Sequence, residues 1–273
     1  TIVRTTAEVR VEESFVRISI EFVNASLDHR LRFHLPLAVG TDRTFAEGQY
    51  AIVERGTITE GGHGERPLAT FPAHGLVAAD GAAILLDHVL EYELLERSAP
   101  AGLAEPGPEL ALTLLRATGL ISRDRHPYRD EPAGPVIAAP TGQGLGLRRI
   151  TFAILPITRG RPDAAVLAAL EAYRSPFLVA VGRGDPALAL GSAAGLALDG
   201  EGVVLTSLRR RAGRLEVRLV NETDTAATAT LRGPFESIRD VDLLGRPLGA
   251  ARPAVGVAEL TLGPWEIGTF SLE

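Results

Sequence analysis

Apolar and polar residues alternate along much of the first third of the chain. Residues 16–22 read VRISIEF, which places apolar side chains on one side of an extended segment and polar ones on the other. Residues 31–35 repeat the alternation up to Pro36, which cannot donate a hydrogen bond to a neighbouring strand. A period of two is typical of half-buried β-strands, and the polar run Glu12-Glu13-Ser14 predicts a hairpin turn before residue 16.

Similar short segments recur to the end of the chain, separated by loops rich in Gly, Pro and charged residues. This spacing predicts an all-β sandwich fold rather than repeated βαβ units. The other predicted strands are 49–55, 76–79, 82–87, 91–96, 109–117, 149–155, 203–209, 215–219, 226–232, 238–243, 257–262 and 265–272.

One segment departs from the β pattern and divides the chain. Apolar residues after Asp163 have helical spacing, with Asp163 as the predicted N-cap and Ser175-Pro176 as the stop, so this helix is expected to be a connector. The Gly-rich stretch that follows predicts a domain boundary near 180–186. We therefore expect two β domains, 1–182 and 183–273.

Composition narrows the range of partners. The 273 residues carry a net charge of −6, so neither DNA nor RNA is an expected partner. All 28 basic residues are arginine, which offers planar, bidentate donors for carboxylates. The lack of cysteine excludes disulfides and thiolate metal sites and is compatible with a cytoplasmic location, with secretion left open. No membrane span is predicted. The chain has no methionine and opens within the strand pattern, so we expect further polypeptide before Thr1.

Two kinds of catalytic centre have weak candidates. Glu91 and Glu93 would share one face of a strand, about 6.6 Å apart by strand rise, which a pair of glycosidase carboxylates could use, but a solvated face explains them equally well. The adjacent pairs Asp28-His29 and Asp87-His88 would point to opposite faces of a regular strand and could not chelate Zn²⁺ from there.

The loop 122–131 holds the densest group of polar side chains. Its arginines and aspartates offer complementary donors and acceptors, and Tyr128 offers an aromatic face, which suits contact with a sugar or a partner domain. An exposed loop with internal ion pairs is the alternative interpretation.

Several stretches together resemble the C-terminal region of family 38 glycoside hydrolases, the α-mannosidases, especially the bacterial branch that includes mannosylglycerate hydrolases. The matching stretches cover almost the whole chain in the family's order, and they are residues 24–32, 90–93, 112–116 with Gly119, Ser122 and Arg123, 133–135, 144–146 and 264–270. The chain departs from the family pattern at residues 87–90, which puts any substrate contact there in doubt.

The resemblance implies a large mutarotase-like β-supersandwich followed by a smaller β-sandwich. It also implies that the zinc ligands and the nucleophilic aspartate lie in an N-terminal α/β domain of the same polypeptide, so no catalytic residue, metal ligand or cofactor is assigned to this chain. The carbohydrate substrate would meet this chain only at a rim. We predict that rim, called here the predicted rim, to be Arg116, Arg123, Asp124, His126 and Arg129.

The leading hypothesis is therefore a non-catalytic β portion of a retaining, zinc-dependent α-mannosidase, which supports the catalytic domain and lines the substrate cleft. The rival is a stand-alone carbohydrate-binding or structural β-sandwich module. Such modules use exposed aromatic platforms, yet only 5% of residues are aromatic, and Trp265 is predicted to lie buried in the last strand.

Overall fold

The computed structural model describes residues 2–62, 64–97, 106–175 and 195–273. The chain divides into two compact units, one comprising Thr1–Pro162 with Ala169–Arg174 and the other Asp163–Ala168 with Ser175–Glu273. The predicted boundary near 180–186, with its division between residues 182 and 183, lies outside the described residues and stays a prediction.

The first unit contains eleven strands within its described residues. They are β1 (Val3–Val9), β2 (Val16–Asn24), β3 (Arg30–Pro36), β4 (Arg43–Glu47), β5 (Ile52–Gly56), β6 (Thr70–Ala73), β7 (Leu76–Ala79), β8 (Ala82–Leu86), β9 (Leu90–Arg97), β10 (Gly107–Arg116) and β11 (Gly146–Pro156).

These strands form two antiparallel sheets that enclose one core. The seven-stranded sheet has the order β1-β2-β11-β8-β7-β4-β5, and the four-stranded sheet has the order β3-β10-β9-β6. Ile20 and Phe152 of the first sheet share a cluster of buried side chains with Tyr92, Leu110 and Leu112 of the second. Two sheets that bury their inner faces against each other form a β-sandwich.

The helix predicted after Asp163 is confirmed. It is α1 (Ala164–Arg174), and the Asp163 carboxylate accepts a hydrogen bond from the Val166 amide at 3.0 Å, which satisfies one of the free donors at the helix start. Tyr173, near the end of α1, is buried and packs edge-on against the Phe15 ring, with the ring centres 5.7 Å apart.

The second unit is a smaller pair of antiparallel sheets. The three-stranded sheet has the order β12-β15-β18 and the five-stranded sheet β13-β14-β19-β16-β17, and the two share one buried apolar cluster. The strands are β12 (Ala197–Asp199), β13 (Val203–Arg211), β14 (Arg214–Asn221), β15 (Ala227–Arg232), β16 (Ser237–Val241), β17 (Arg252–Pro253), β18 (Val257–Leu262) and β19 (Ile267–Leu272). The predicted all-β sandwich class is confirmed.

Some sequence predictions were wrong in detail. The last strand begins at Ile267, and Trp265 lies in the preceding turn, half-buried, with a φ of 58°. The prediction of a buried strand position for Trp265 is therefore wrong. The chain must turn at Gly263 to bring β19 beside β14, and the Gly263 amide bonds the Glu266 carboxylate at 2.6 Å in that turn.

Candidate functional site

A row of charged side chains crosses the outer face of the four-stranded sheet. Alternation along β3 sends its apolar residues into the core and its basic residues outward, where acidic residues of β9 and β10 meet them. We call this row the charged ladder, and its members are Arg30, Arg32, His34, Glu91, Glu93, Glu109 and Thr113.

Arg30 stands at one end of the charged ladder. Its guanidinium donates hydrogen bonds to Glu91 and, from Nε at 3.0 Å, to the Thr113 hydroxyl, which itself donates to Glu91 at 3.0 Å. Arg116 approaches the other oxygen of the same carboxylate, Nη1 to Oε2, at 3.3 Å. Glu91 therefore holds two arginines together at the point where β10 ends and β3 begins.

The remaining members form simple cross-strand pairs. Arg32 bonds Glu93 at 2.6 Å, and the Nδ1 atom of His34 lies 2.7 Å from a carboxylate oxygen of Glu109. A glycosidase general acid is usually kept protonated by an apolar enclosure. Glu91 and Glu93 are instead each held by arginine, so their geometry serves ion pairing between strands.

A second polar group lies just before β3. Asp28 accepts hydrogen bonds from the Gln143 amide at 2.9 Å and from the Gly119 backbone at 3.2 Å, and Arg123 approaches it at 3.7 Å. These contacts hold the pKa of Asp28 below its ordinary value. The Gln143 hydrogen bond has the largest effect, and the Gly119 amide and Arg123 have smaller ones. Asn24 bonds the carbonyl of Gln143 at 2.9 Å. These bonds tie three separate chain segments into one corner.

Two members of the predicted rim lie at this corner. Arg123 pairs with Asp28 and Arg116 pairs with Glu91 beside Arg30. Because Asp28 and Arg30 are two residues apart, their Cα atoms are within about 7 Å of each other. The Arg116 side chain is 69% exposed and that of Arg123 is 52% exposed, so both guanidinium groups present free donors to solvent.

The other rim residues belong to a different neighbourhood. His126 and Arg129 bridge to each other, the rings of His126 and Tyr128 lie 5.5 Å apart, and Arg129 pairs with Glu65 at 3.7 Å. Asp124 is exposed between the two groups. The loop is thus held both by its own contacts and by Glu65 and Asp28 outside it, and Arg123 and Arg129 have different partners.

The acidic and histidine side chains of the described residues are dispersed. Within the described ranges, no three such side chains gather in an arrangement that could hold an ion. Asp87 and His88 lie in the turn after β8, where their side chains contact each other, and Asp87 also accepts from Thr151 at 2.9 Å. The assumption of regular strand geometry for this pair is wrong, since adjacent residues in a turn can face each other.

No helix among the described residues is both long enough and apolar enough to cross a bilayer.

Two crystal structures share the fold of this chain. An α-mannosidase from Enterococcus faecalis V583 superimposes with a TM-score of 0.73 and 21% identity, over 99% of this chain and 29% of that chain. A protein in glycosyl hydrolase family 38 from Enterococcus faecalis superimposes with a TM-score of 0.72 and 20% identity, over 99% and 30%. No family model matches the sequence, and no curated protein matches it.

The chain has the fold of one segment of these hydrolases. Nearly all of its residues superimpose, and they span less than a third of the length of either hydrolase chain. The fold expected from the resemblance to family 38 is therefore present.

Sequence reasoning missed the residues that build the corner. Gln143 lies outside every predicted strand and helix, yet it ends a short 3₁₀-helix (Pro140–Gln143) and is buried. Gly144 follows with a φ of 57°, a conformation that glycine adopts readily. The available signal was the glycine on either side of Gln143, because glycine permits close approach of the backbone, and a Cβ at Gly142 would lie 2.6 Å from the Thr118 carbonyl oxygen.

Proposed function

We propose that this chain is the C-terminal, non-catalytic β portion of an α-mannosidase-type glycoside hydrolase. The observation that carries the proposal is the superposition of nearly the whole chain on less than a third of two such hydrolase chains. A mannosidase contains more than these β units, so its bond-breaking residues belong to the remaining two-thirds.

The chemistry of this chain agrees with a supporting role. Retaining hydrolysis needs two carboxyl groups about 5 Å apart that flank the scissile bond. One is protonated and acts as the general acid, and the other is the nucleophile. The carboxylates of the charged ladder are engaged with arginine or histidine. We assign the zinc ion and the nucleophile to the N-terminal catalytic domain, because the described residues here do not fit a zinc site.

The corner that holds Arg116 and Arg123 is proposed as one wall of the cleft for a mannoside substrate. Guanidinium groups fixed by carboxylates keep unused donors, and these donors suit sugar hydroxyls. Asp124 adds an exposed acceptor between this corner and the segment of His126 and Arg129. We also propose that the protein is cytoplasmic and has no nucleic-acid or membrane partner.

Activity measurements on two polypeptides test the assignment. The 273-residue chain, assayed with an aryl α-mannoside and added zinc, is expected to show no turnover, and the complete polypeptide is expected to hydrolyse it. Robust turnover by the 273-residue chain would refute the non-catalytic role. A coding sequence that begins close to Thr1, together with glycan binding by the chain alone, would favour a stand-alone carbohydrate-binding module.

The cleft wall is tested in the complete enzyme. Arg116→Gln and Arg123→Gln each remove one donor and are expected to raise KM about 10-fold with a smaller change in kcat. Arg4→Gln, an exposed arginine on β1, is the matched control and should leave both constants unchanged. Equal effects of all three substitutions would contradict a contact role for the corner.

A further inference from the structure

A cavity of about 260 Å³ opens at one side of the first unit's sandwich. The edge strand of the larger sheet there is β5, and the edge strand of the smaller sheet is β6. No strand of the described residues follows β5 or β6 in its sheet at that side. Ala46 and Val53 line the cavity from the larger sheet, Pro72 from the smaller one, and Val89 from the turn before β9. We call it the edge cavity.

Arg55 places a positive charge in the wall of the edge cavity. Register pairs Arg55 with Thr44, whose side chain is buried and bonds the Tyr92 hydroxyl at 2.9 Å, so Arg55 projects from the core-facing side of β5. Its guanidinium carbon lies 4.6 Å from the centre of the Phe71 ring. The Nε atom is buried and has no hydrogen-bond partner among the described residues.

No carboxylate in the described parts of the chain pairs with Arg55. The adjacent Glu54 points to the opposite side of β5, where it binds Arg43 at 2.8 Å and Arg161 at 3.4 Å. Tyr92 cannot serve as an anion, because burial raises the pKa of its hydroxyl. Arg55 is half-buried, and a buried N–H group without an acceptor is costly unless something else supplies one.

The other charged groups of the edge cavity already have partners. Glu47 is a lining residue, but Arg174 holds both of its oxygens, at 3.2 and 2.8 Å. The second of these arginine nitrogens also lies 3.2 Å from Nδ1 of His74, another lining residue. Among the residues that the structure describes, Arg55 is therefore the charged lining residue of this cavity without a counter-ion.

We propose that the edge cavity binds a small aliphatic carboxylate, with Arg55 as its counter-ion. A guanidinium offers two parallel donors that match the two oxygens of a carboxylate. The aliphatic walls suit a short branched hydrocarbon tail. The volume lies below the roughly 300 Å³ at which drug-sized ligand sites begin, so the ligand must be small.

Isovalerate and its neutral isostere isovaleramide are the probes. The 273-residue chain, in a buffer free of carboxylates, is titrated with each and followed by calorimetry and by the methyl NMR signals of Val53 and Val89. Isovalerate is expected to saturate with a Kd of about 1 mM and to shift both valines, whereas the amide should bind at least about 10-fold more weakly.

Two variants locate the counter-ion. Arg55→Gln is expected to weaken isovalerate binding about 10-fold or more. Arg43→Gln removes one positive charge from the neighbouring strand β4, outside the cavity lining, and should leave the Kd within about twofold. Thermal unfolding shows that each variant is folded. The proposal is overturned if isovalerate does not saturate, if the amide binds equally well, or if both variants weaken binding alike.

Discussion

Two arrangements of arginine and glutamate in the first unit use the same chemistry at different depths. In the charged ladder, Glu91 has a side-chain exposure of 27%, and its partners Arg30 and Arg116 are 32% and 69% exposed. Glu47, by contrast, is 7% exposed and is held at both oxygens by Arg174, which is 21% exposed. Water reaches all three side chains of the first set, whereas in the second set the Glu47 carboxylate is enclosed and Arg174 is partly exposed.

The difference in exposure changes what each pair contributes. An exposed ion pair gives up about as much hydration as it gains in attraction, and its net value is about 0–1 kcal/mol. Breaking an enclosed pair leaves a charge that water cannot reach, which costs about 3–5 kcal/mol. We therefore expect the Glu47–Arg174 pair to matter for stability and the charged ladder to matter mainly for the surface it presents.

The largest expected effect comes from Gly75→Ala. A Cβ atom at Gly75 would overlap the ends of both the Arg174 and the Glu47 side chains, so both must shift, and we expect the shift to break the ion pair. The free energy of unfolding, measured by urea denaturation, is expected to fall by about 3 kcal/mol. Gly40→Ala is the matched control, because nothing lies within 4 Å of a Cβ atom there. Equal free energies of unfolding for the two variants would show that the Glu47–Arg174 pair does not contribute to stability.

The second unit offers an intermediate case. Glu216 is 4% exposed and binds two arginines, Arg209 and Arg211, that are 38% and 47% exposed. Because these arginines can reach water, Glu216→Gln is expected to lower the free energy of unfolding by about 2 kcal/mol, less than separation of the Glu47 pair. Exposed Glu259 on β18 supplies the control variant, Glu259→Gln, with an expected change below about 0.5 kcal/mol.

A smaller effect is expected in the charged ladder. Glu91→Gln keeps the shape of the side chain and its contact with Thr113, and it removes the charge between Arg30 and Arg116. The free energy of unfolding is expected to change by less than about 1 kcal/mol at low salt, and the change should shrink as salt is added. A loss as large as that of Gly75→Ala would contradict the distinction between open and enclosed pairs.

The smallest effect is a pH dependence at the corner. The Gln143 amide, the Gly119 backbone and Arg123 lower the folded-state pKa of Asp28. Its stabilising contribution is therefore complete above the unfolded pKa of about 3.9 and is lost as the pH falls through the lower folded value. Asp28→Asn suits the test because Asp28 has a φ of 51°, which asparagine tolerates.

The Tm of the wild type and of Asp28→Asn, measured from about pH 6 down to about pH 2.5, reports the contribution of the Asp28 charge. The wild-type advantage over Asp28→Asn should be constant above about pH 5 and should narrow in acid. A difference that stays constant across the whole range would show that the Asp28 charge adds nothing to folding.

Local patterns predicted most of the strands and the one α-helix of the described chain. The segments 76–79 and 257–262 were predicted with the observed bounds, since their punctuation by turn residues is strong. The interior strand β4 and the edge strand β6 were not predicted. Both are short, and β4 is buried on four of its five positions without alternation, so no period marks it.

The sequence by itself determined the all-β class, because alternation at a period of two depends only on neighbouring residues. The tertiary structure decided which charges meet. Glu47 and Arg174 are 127 residues apart, and Arg116 and Arg123 reach one corner only because β10, β3 and the segment at Gln143 converge there. Arg55 looks like an ordinary surface arginine in the sequence, and only the open edge of the sandwich places it in a cavity wall.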